Sequence, residues 1–132
     1  VITETGADKA VSKALPQLAG KITGNSVRVP TPNVSLAILN LTVGKQTTKE
    51  DINELLKDAA LNGGLVEQIQ YLYSNETVSS DLVGNPCASI VDSPATIVSK
   101  DAKNVVLYVW YDNEMGYAQR VVDLLEYLSS KE

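Results

Sequence analysis

Four segments typical of β-strands follow one another between residues 67 and 111, with only short turns between them. They lie at about 67–73, 77–83, 89–99 and 103–111, and each is rich in Val, Ile, Tyr or Thr and bounded by turn residues. Parallel neighbours need a crossover of a dozen or more residues, whereas antiparallel strands can be joined by a tight turn. This part of the chain therefore predicts a mainly antiparallel sheet.

Helical spacing of apolar residues occurs three times, at about 7–18, 47–61 and 114–130. We expect Pro16 to distort or end the first helix and Gly20 to close it. Thr47 and Glu50 have the spacing of a capping box at the start of the second helix. The expected inward-facing residues are Ile52, Leu55, Leu56 and Ala59 in the second helix, and Met115, Val121, Val122, Leu125 and Leu128 in the last.

Two further strands, at 21–31 and 34–44, complete the predicted elements. The order of helices and strands does not repeat as βαβ, so a doubly wound parallel sheet is not expected. The prediction is an α+β fold with a mainly antiparallel (mixed) sheet and helices on one face. The 132 residues suit one domain, and the abrupt start in strand-like sequence at Val1 suggests a fragment.

Net charge and composition argue against several classes of function for this chain. A net charge of −5 without a Lys or Arg cluster argues against nucleic-acid binding, although one or two cations can hold a small anion. No run of 18 apolar residues occurs, so we expect no membrane span and a cytoplasmic location. Without histidine, and with Cys87 alone, the chain has no predicted metal site and no usual general base. Cys87 is expected to be a core or turn residue, the alternative being a nucleophile.

Two places near the start of the chain are candidate anion sites. Thr5 and Gly6 precede the first helix, where a hydroxyl and free backbone N–H groups suit a phosphate; the alternative is that Thr5 only caps the helix. Arg28 lies in an alternating strand and is followed by two prolines that restrict the chain. It could bind an oxyanion through its fork of N–H donors, or it could simply face solvent.

A third candidate site is the polar run at 111–114, which interrupts an apolar strand just before the last helix. Asn113 can both donate and accept through its amide, and Tyr117 follows one helical turn later. Alternatively, Asp112 or Asn113 is the N-cap of the helix. Capping accounts for one polar residue there but not for four.

Three blocks of sequence together resemble a known family. They are TETGADKAVSKALPQLAGKITGNSVRVPTPNVSL, VSSDLVGNPCASIVDS and YDNEMGYAQRVVDLL. In this order they are similar to the C-terminal half of the catalytic domain of phosphorylating glyceraldehyde-3-phosphate dehydrogenase, and the likeness covers nearly all of residues 1–132. The chain is therefore expected to be this domain, truncated at its N-terminal side and without the Rossmann domain.

The resemblance assigns roles to particular residues. It implies that Thr5 and Gly6 contact a phosphate and that Arg28 also binds phosphate, so we expect these three groups to converge. It implies that Asn113 hydrogen-bonds the nicotinamide carboxamide of the dinucleotide, with Tyr117 packing nearby. The family's last helix packs on the nucleotide-binding domain, and its sheet builds a tetramer, so a homo-oligomer is expected.

In the family, an aldehyde forms a thiohemiacetal on a catalytic cysteine, hydride passes to NAD, and inorganic phosphate attacks the thioester. A histidine activates that cysteine. Both groups belong to segments upstream of this chain, so no catalytic residue is expected here and the fragment alone should be inactive. NAD or NADP is expected in the parent protein, with none bound tightly by the fragment, and the missing half decides between them.

Two acidic residues depart from the family pattern. Glu4 stands where the family commonly has serine or threonine, and Asp8 where a small residue is usual, so two carboxylates flank the expected phosphate site. The alternatives that remain open are a relative of erythrose-4-phosphate dehydrogenase, a non-catalytic oligomerisation or interaction module, and a degenerate paralogue that binds ligands without catalysis.

Overall fold

The structure is a computed structural model that describes residues 1–131 of the chain. It contains two compact units, Val1–Pro32 and Asn33–Glu132, each of which is described by itself. Among the described residues, no helix is both long enough and apolar enough to cross a membrane.

The first unit is a small two-stranded sheet with one helix. Strand β1, Ile2–Glu4, pairs antiparallel with β2, Asn25–Val27, and helix α1, Ala7–Ala14, lies between them in sequence. The helix ends at Ala14, before Pro16, which opens a separate 3₁₀ turn over Pro16–Leu18, so the predicted end at Pro16 is confirmed and the predicted closure at Gly20 is wrong. No residue of this unit is buried, so it has no core of its own.

The strand predicted at 21–31 is much shorter than expected. Only Asn25–Val27 pair, because β1 offers just three residues as partners. Arg28 therefore follows the strand instead of lying within it, although its N–H still donates to the Val1 carbonyl at 2.7 Å. Pro30 has no N–H with which to extend the ladder.

The second unit is built on a mixed five-stranded sheet, which confirms the α+β prediction. Its strands are β3 (Ser35–Thr42), β4 (Ile69–Leu72), β5 (Ser89–Asp92), β6 (Ile97–Val98) and β7 (Asn104–Tyr111). The order is β3-β7-β5-β4, with β6 also paired to β7. Every pair is antiparallel except β4 with β5.

Strand β7 organises this sheet because it pairs with β3 along eight residues and also with β5 and β6. The register places Leu36 and Ile90 on either side of Trp110. Ile90 has no exposed surface and forms a buried cluster with Val34 and Leu82. Complete burial of such a side chain contributes about 1.5–3 kcal/mol, so this cluster anchors the end of β7.

Two predicted strands are wrong in whole or in part. The segment 77–83 contains a 3₁₀ turn, Ser79–Leu82, which forms because Asp81 Oδ2 accepts a 2.9 Å hydrogen bond from the Val78 N–H. The segment 89–99 is divided into β5 and β6 by a second 3₁₀ turn, Ser93–Ala95. Pro94 in that turn cannot donate to a ladder.

Helix α2, Lys49–Leu61, begins one residue later than predicted. Its capping box consists of Thr48 and Asp51, with Thr48 Oγ1 accepting from the Asp51 N–H at 3.1 Å, and not of Thr47 and Glu50. The N–H of Thr47 donates to Ala102 O instead, which keeps Thr47 in the preceding loop.

The inward face of α2 is also partly different from the prediction. Ile52, Leu56 and Ala59 are half-buried as predicted, and Ala60, which was not predicted, is the buried residue of this helix. Leu55, in contrast, is 64% exposed and does not belong to the inward stripe.

Helix α3, Met115–Ser129, is present as predicted, but its predicted inner face is wrong for this chain. The half-buried or buried residues are Gly116, Gln119, Arg120 and Asp123. The residues predicted to face inward are exposed by 39% to 60%: Met115, Val121, Val122, Leu125 and Leu128. Thus α3 turns its polar side to the sheet unit and leaves an apolar face uncovered.

Candidate functional site

Thr5 and Gly6 lie directly before α1. Thr5 Oγ1 accepts a 3.2 Å hydrogen bond from the Ala7 N–H at the first helical residue, but the N-cap position is Gly6, so Thr5 lies one residue before the cap. A threonine hydroxyl can donate as well as accept, and the first turn of any helix leaves backbone N–H groups without intrahelical partners. The bond from Ala7 is therefore compatible with an anion at the same helix end.

Arg28 reaches back along the two-stranded sheet. Its Nε donates to Thr3 Oγ1 at 3.3 Å, which holds the guanidinium against β1. Thr5 follows this strand by one residue. Within the described residues no hydrogen bond joins Arg28 to Thr5 or Gly6, and their convergence on an anion stays a prediction.

The two acidic departures differ in position. Glu4 is exposed at the last residue of β1, next to the half-buried Thr3, and alternation along the strand places these two side chains on opposite faces. Asp8 is in the first turn of α1, and its Oδ1 is buried without a hydrogen-bond partner. A carboxylate at a helix N-terminus is stabilised by the helix dipole, but it opposes a second anion there.

Asn113 and Tyr117 are exposed side chains at the junction of β7 and α3. Asn113 lies between the strand and the helix, and Tyr117, 72% exposed, lies in the first turn of α3. Asn113 Oδ1 accepts a hydrogen bond from Ser35 Oγ at 3.3 Å. In the described part of the chain nothing accepts from Asn113 Nδ2, so this donor is open to an incoming acceptor.

Asp112 is the buried polar centre of this junction, with 1% of its surface exposed. Its Oδ1 accepts from the N–H groups of Glu114 and Met115 at 3.0 and 2.9 Å. Its Oδ2 accepts from Gly84 N and Asn33 Nδ2 at 2.8 and 2.9 Å. The N-cap position of α3 is Glu114, so neither expected alternative holds as stated, but Asp112 and not Asn113 supplies the side-chain acceptor for the first N–H groups of the helix.

The hydrogen bonds also determine the ionisation of Asp112. They lower the pKa of its carboxyl from 3.8 to about 2, chiefly through the N–H of Met115 and then that of Gly84, while burial acts in the opposite direction. The charged form is favoured because every donor points at the carboxylate. Asp112 is therefore a structural anion, unsuited to act as a general acid or base near neutral pH.

A pH dependence of stability follows from this shift. The folded-state pKa of about 2 is below the ordinary 3.8, so Asp112 stabilises the fold above about pH 4 and loses that contribution as the pH falls toward 2. Urea unfolding of the wild-type chain and of Asp112→Asn should show a constant stability gap near neutral pH that narrows in acid. The pKa of Asp101 is also lowered, chiefly by the Ser99 hydroxyl, but this contribution is common to both proteins and cancels. A gap that stays constant down to the acid limit would contradict the assignment.

Cys87 lies in the loop before β5 and is a half-buried residue that packs against the cluster of Val34, Leu82 and Ile90. Burial raises the pKa of its thiol, and Arg120 opposes this only in part. A catalytic thiolate requires the opposite shift. The structure thus supports a packing role for Cys87. In the described part of the chain, no group of three or more acidic, Cys or His side chains is arranged to hold a metal ion.

The sequence indicated a site at 111–114 but not the residues that build it. Asn33 and Ser35 are 79 and 78 residues from their partners Asp112 and Asn113, and nothing local predicts these pairings. For Asp112 a signal existed, because a carboxylate between a core strand and a helix can reach the free N–H groups of the first turn.

The fold and this junction define an α+β domain whose candidate site is an exposed amide held at a strand–helix boundary by a buried carboxylate. Residues 1–113 match the family described as glyceraldehyde 3-phosphate dehydrogenase, C-terminal domain. The chain belongs to this family, which confirms the resemblance seen in its motifs.

Curated relatives agree with the family match. A "Glyceraldehyde-3-phosphate dehydrogenase-like protein" of Pseudomonas aeruginosa is 56% identical over 126 residues, which cover 96% of this chain and 27% of that protein. A glyceraldehyde-3-phosphate dehydrogenase of Claviceps purpurea is 47% identical over 96% of this chain and 37% of its own length. The testis-specific enzyme of Mus musculus is 47% identical over 98% and 29%. The chain thus spans well under half the length of these relatives.

Proposed function

We propose that the complete protein is an NAD(P)-dependent dehydrogenase that converts glyceraldehyde 3-phosphate, phosphate and NAD to 1,3-bisphosphoglycerate and NADH in glycolysis. The observation that carries this proposal is the exposed Asn113 amide, whose oxygen accepts from Ser35 while its N–H donors have no acceptor among residues 1–131. The carboxamide of a nicotinamide has an oxygen that can accept from these donors and an NH₂ group that can donate in turn. A relative acting on erythrose 4-phosphate remains the alternative within the same chemistry.

The residues at the junction fit a nicotinamide. The open Nδ2 of Asn113 suits a carboxamide oxygen, and the exposed ring of Tyr117 offers an aromatic surface one turn away. NAD, when bound, supplies the hydride acceptor. The role of this chain is to hold the orientation of the nicotinamide ring, which determines how closely the reacting atoms approach. NADP would meet the same residues, since the preference is set outside this chain.

Phosphate binding is assigned to Thr5, Gly6 and Arg28. Arg28 supports this assignment because, among the residues that the structure describes, its side chain donates through Nε to Thr3, and the outer guanidinium nitrogens are left for an oxyanion. Thr5 and Gly6 add a hydroxyl and a helix N-terminus. The ligands would be the sugar phosphate and inorganic phosphate. A cytoplasmic location stays a prediction.

In the complete protein, Arg28→Ala should raise the KM for glyceraldehyde 3-phosphate or for inorganic phosphate about 10- to 100-fold. This range corresponds to about 1.5–3 kcal/mol for hydrogen bonds to a charged group. Steady-state kinetics with each substrate varied in turn would measure the effect. Turnover of unphosphorylated glyceraldehyde should change much less, because that substrate lacks the group that Arg28 binds.

Lys21→Ala is the matched control, since it removes one exposed positive charge from the same unit. It should leave both KM values within about twofold, as expected for a solvated surface charge. Equal effects of the two substitutions would mean that Arg28 acts only through net charge. Unchanged KM values in Arg28→Ala would remove it from the phosphate site.

The exposed apolar side of α3 favours a second function, that of an assembly surface. We define the α3 face as Val121, Val122, Leu125 and Leu128, which are 41% to 60% exposed. Apolar residues grouped on one side of an amphipathic helix usually contact another protein surface. In the complete protein we assign this surface to the Rossmann domain. In the isolated chain we expect self-association, and a homo-oligomer is proposed for the parent.

Sedimentation of the isolated chain at tens of micromolar should show dimers or larger species. The double substitution Leu125→Glu and Leu128→Glu should weaken association at least about 10-fold, because it places charge in the buried centre of the contact. Leu55→Glu serves as a control, since Leu55 is an equally exposed leucine on α2. A monomeric wild-type chain, or equal weakening by the control, would count against the α3 face.

A further inference from the structure

The residue before Asn113, Asp112, accepts hydrogen bonds from the two residues after Asn113. Asp112 Oδ1 accepts from the N–H groups of Glu114 and Met115, so these two bonds span the Asn113 backbone. An aspartate that bonds the backbone two and three residues ahead restricts the turn between them. The position of Asn113 is thus set by the carboxylate next to it in sequence.

The other oxygen of Asp112 ties this turn to two distant segments. Oδ2 accepts from Gly84 N, in the loop after the 3₁₀ turn, and from Asn33 Nδ2, just before β3. With two donors on each oxygen, the carboxylate has filled its usual four acceptor positions. Because the group is buried, water cannot easily replace a lost donor.

Asn33 connects Asp112 to Val34, a residue with a strained backbone. Its Oδ1 accepts a 2.8 Å hydrogen bond from the N–H of Val34, which has φ of +71°. This conformation is rare and strained for a β-branched residue. Val34 is nevertheless buried in the cluster with Leu82 and Ile90, so packing and the Asn33 bonds together hold it.

The hydrogen-bond partner of the Asn113 side chain is next to the strained residue in sequence. Ser35 follows Val34, and its hydroxyl donates to Asn113 Oδ1. A closed circuit therefore runs from Asp112 through Asn33, Val34 and Ser35 to Asn113. One part of the circuit fixes the Asn113 backbone, and the other fixes the orientation of its amide.

We propose that Asp112 and Ser35 are positioning residues that hold the Asn113 amide with its Nδ2 toward the carboxamide oxygen of the dinucleotide. The proposal rests on the proposed function, because it concerns the same nicotinamide site. Neither residue contacts the reacting atoms. Their effect is to pre-orient a donor that would otherwise sample several rotamers.

The complete protein is assayed with NAD and with thionicotinamide adenine dinucleotide, in which sulfur, a weak acceptor, replaces the carboxamide oxygen. The measured quantity is the ratio of kcat/KM for NAD to that for the analogue. Asp112→Asn and Ser35→Ala should each lower this ratio about 3- to 10-fold, in line with about 0.5–1.5 kcal/mol for one hydrogen bond. Ser35→Ala is the variant that leaves the buried network intact.

The same two substitutions are then made in an Asn113→Ala background. If both residues act through Asn113, neither should change the ratio there. A drop of equal size in both backgrounds would show a general structural effect and would overturn the proposal. So would an unchanged ratio in the otherwise wild-type protein.

Failure of the proposed function has a different signature. A folded wild-type protein without NAD-dependent oxidation of an aldehyde phosphate would refute the dehydrogenase assignment, and the positioning roles with it. Normal wild-type turnover, with ratios insensitive to Asp112→Asn and Ser35→Ala, would overturn the positioning roles alone.

Discussion

The isolated 132-residue chain is expected to form no measurable NADH from glyceraldehyde 3-phosphate, NAD and phosphate, at least about 10⁴-fold below the complete protein. It has no histidine and one cysteine, and burial raises the pKa of that Cys87 thiol. A neutral thiol is a poor nucleophile, and no imidazole is present to activate it. The unit that carries Thr5 and Arg28 also has no buried residue to hold it rigid.

Absorbance of NADH at enzyme concentrations of tens of micromolar would test this expectation. The complete protein is the positive control, and Cys87→Ala in the isolated chain is the negative control. Turnover comparable to that of the complete protein would refute it. Residual turnover that disappears in Cys87→Ala would show that this thiol, contrary to its environment, is reactive.

Replacement of Asp112 by alanine is expected to destabilise the chain by about 3 kcal/mol or more. The substitution removes the buried acceptor of four hydrogen bonds, whose donors are Gly84 N, Asn33 Nδ2, Glu114 N and Met115 N. Each unsatisfied buried group costs about 1–3 kcal/mol, reduced where water enters. Domains of this size are stable by only about 5–15 kcal/mol, so the loss should be large in urea unfolding.

Asp81→Ala is the control for this substitution. Asp81 also caps a turn, by accepting from the Val78 N–H, but it is exposed, and its loss should cost about 1 kcal/mol. Asp112→Asn keeps the shape and should fall between the two, which preserves a measurement if the alanine variant does not fold. A loss below about 1 kcal/mol for Asp112→Ala would contradict the network.

The broad fold was predictable because its signals are local and periodic. Alternation along β3 and β7, and helical spacing in α2 and α3, come from residues near one another in sequence. The predictions were wrong where a single hydrogen bond determines the local structure. Asp81 bonds Val78 and makes a 3₁₀ turn in a strand-like segment, and Thr47 bonds Ala102 and moves the start of α2 by one residue.

The predicted inner face of α3 failed for a different reason. Periodicity shows that Val121 and Leu125 share a side of the helix, but it does not show which molecule that side contacts. In this chain the polar side of α3 meets the sheet unit, where Gly116 allows close approach because an added Cβ would lie 3.2 Å from Cys87 O. The apolar side is left for a surface outside the chain.

The candidate site was predictable only in part. Its exposed members, Asn113 and Tyr117, lie within a recognisable motif, and so do Thr5, Gly6 and Arg28. The residues that support Asn113 could not be found, because Asn33 and Ser35 reach it through sheet register and a positive φ at Val34, neither of which has a local signal. Positioning residues are in general less visible than the ligands that they hold.

The most direct test is a crystal structure of the complete protein with NAD and phosphate. We expect the carboxamide oxygen within about 3 Å of Asn113 Nδ2, and a phosphate contacted by Arg28 together with Thr5 or Gly6. A nicotinamide ring bound elsewhere, with Arg28 turned to solvent and no phosphate beside Thr5, would contradict this expectation.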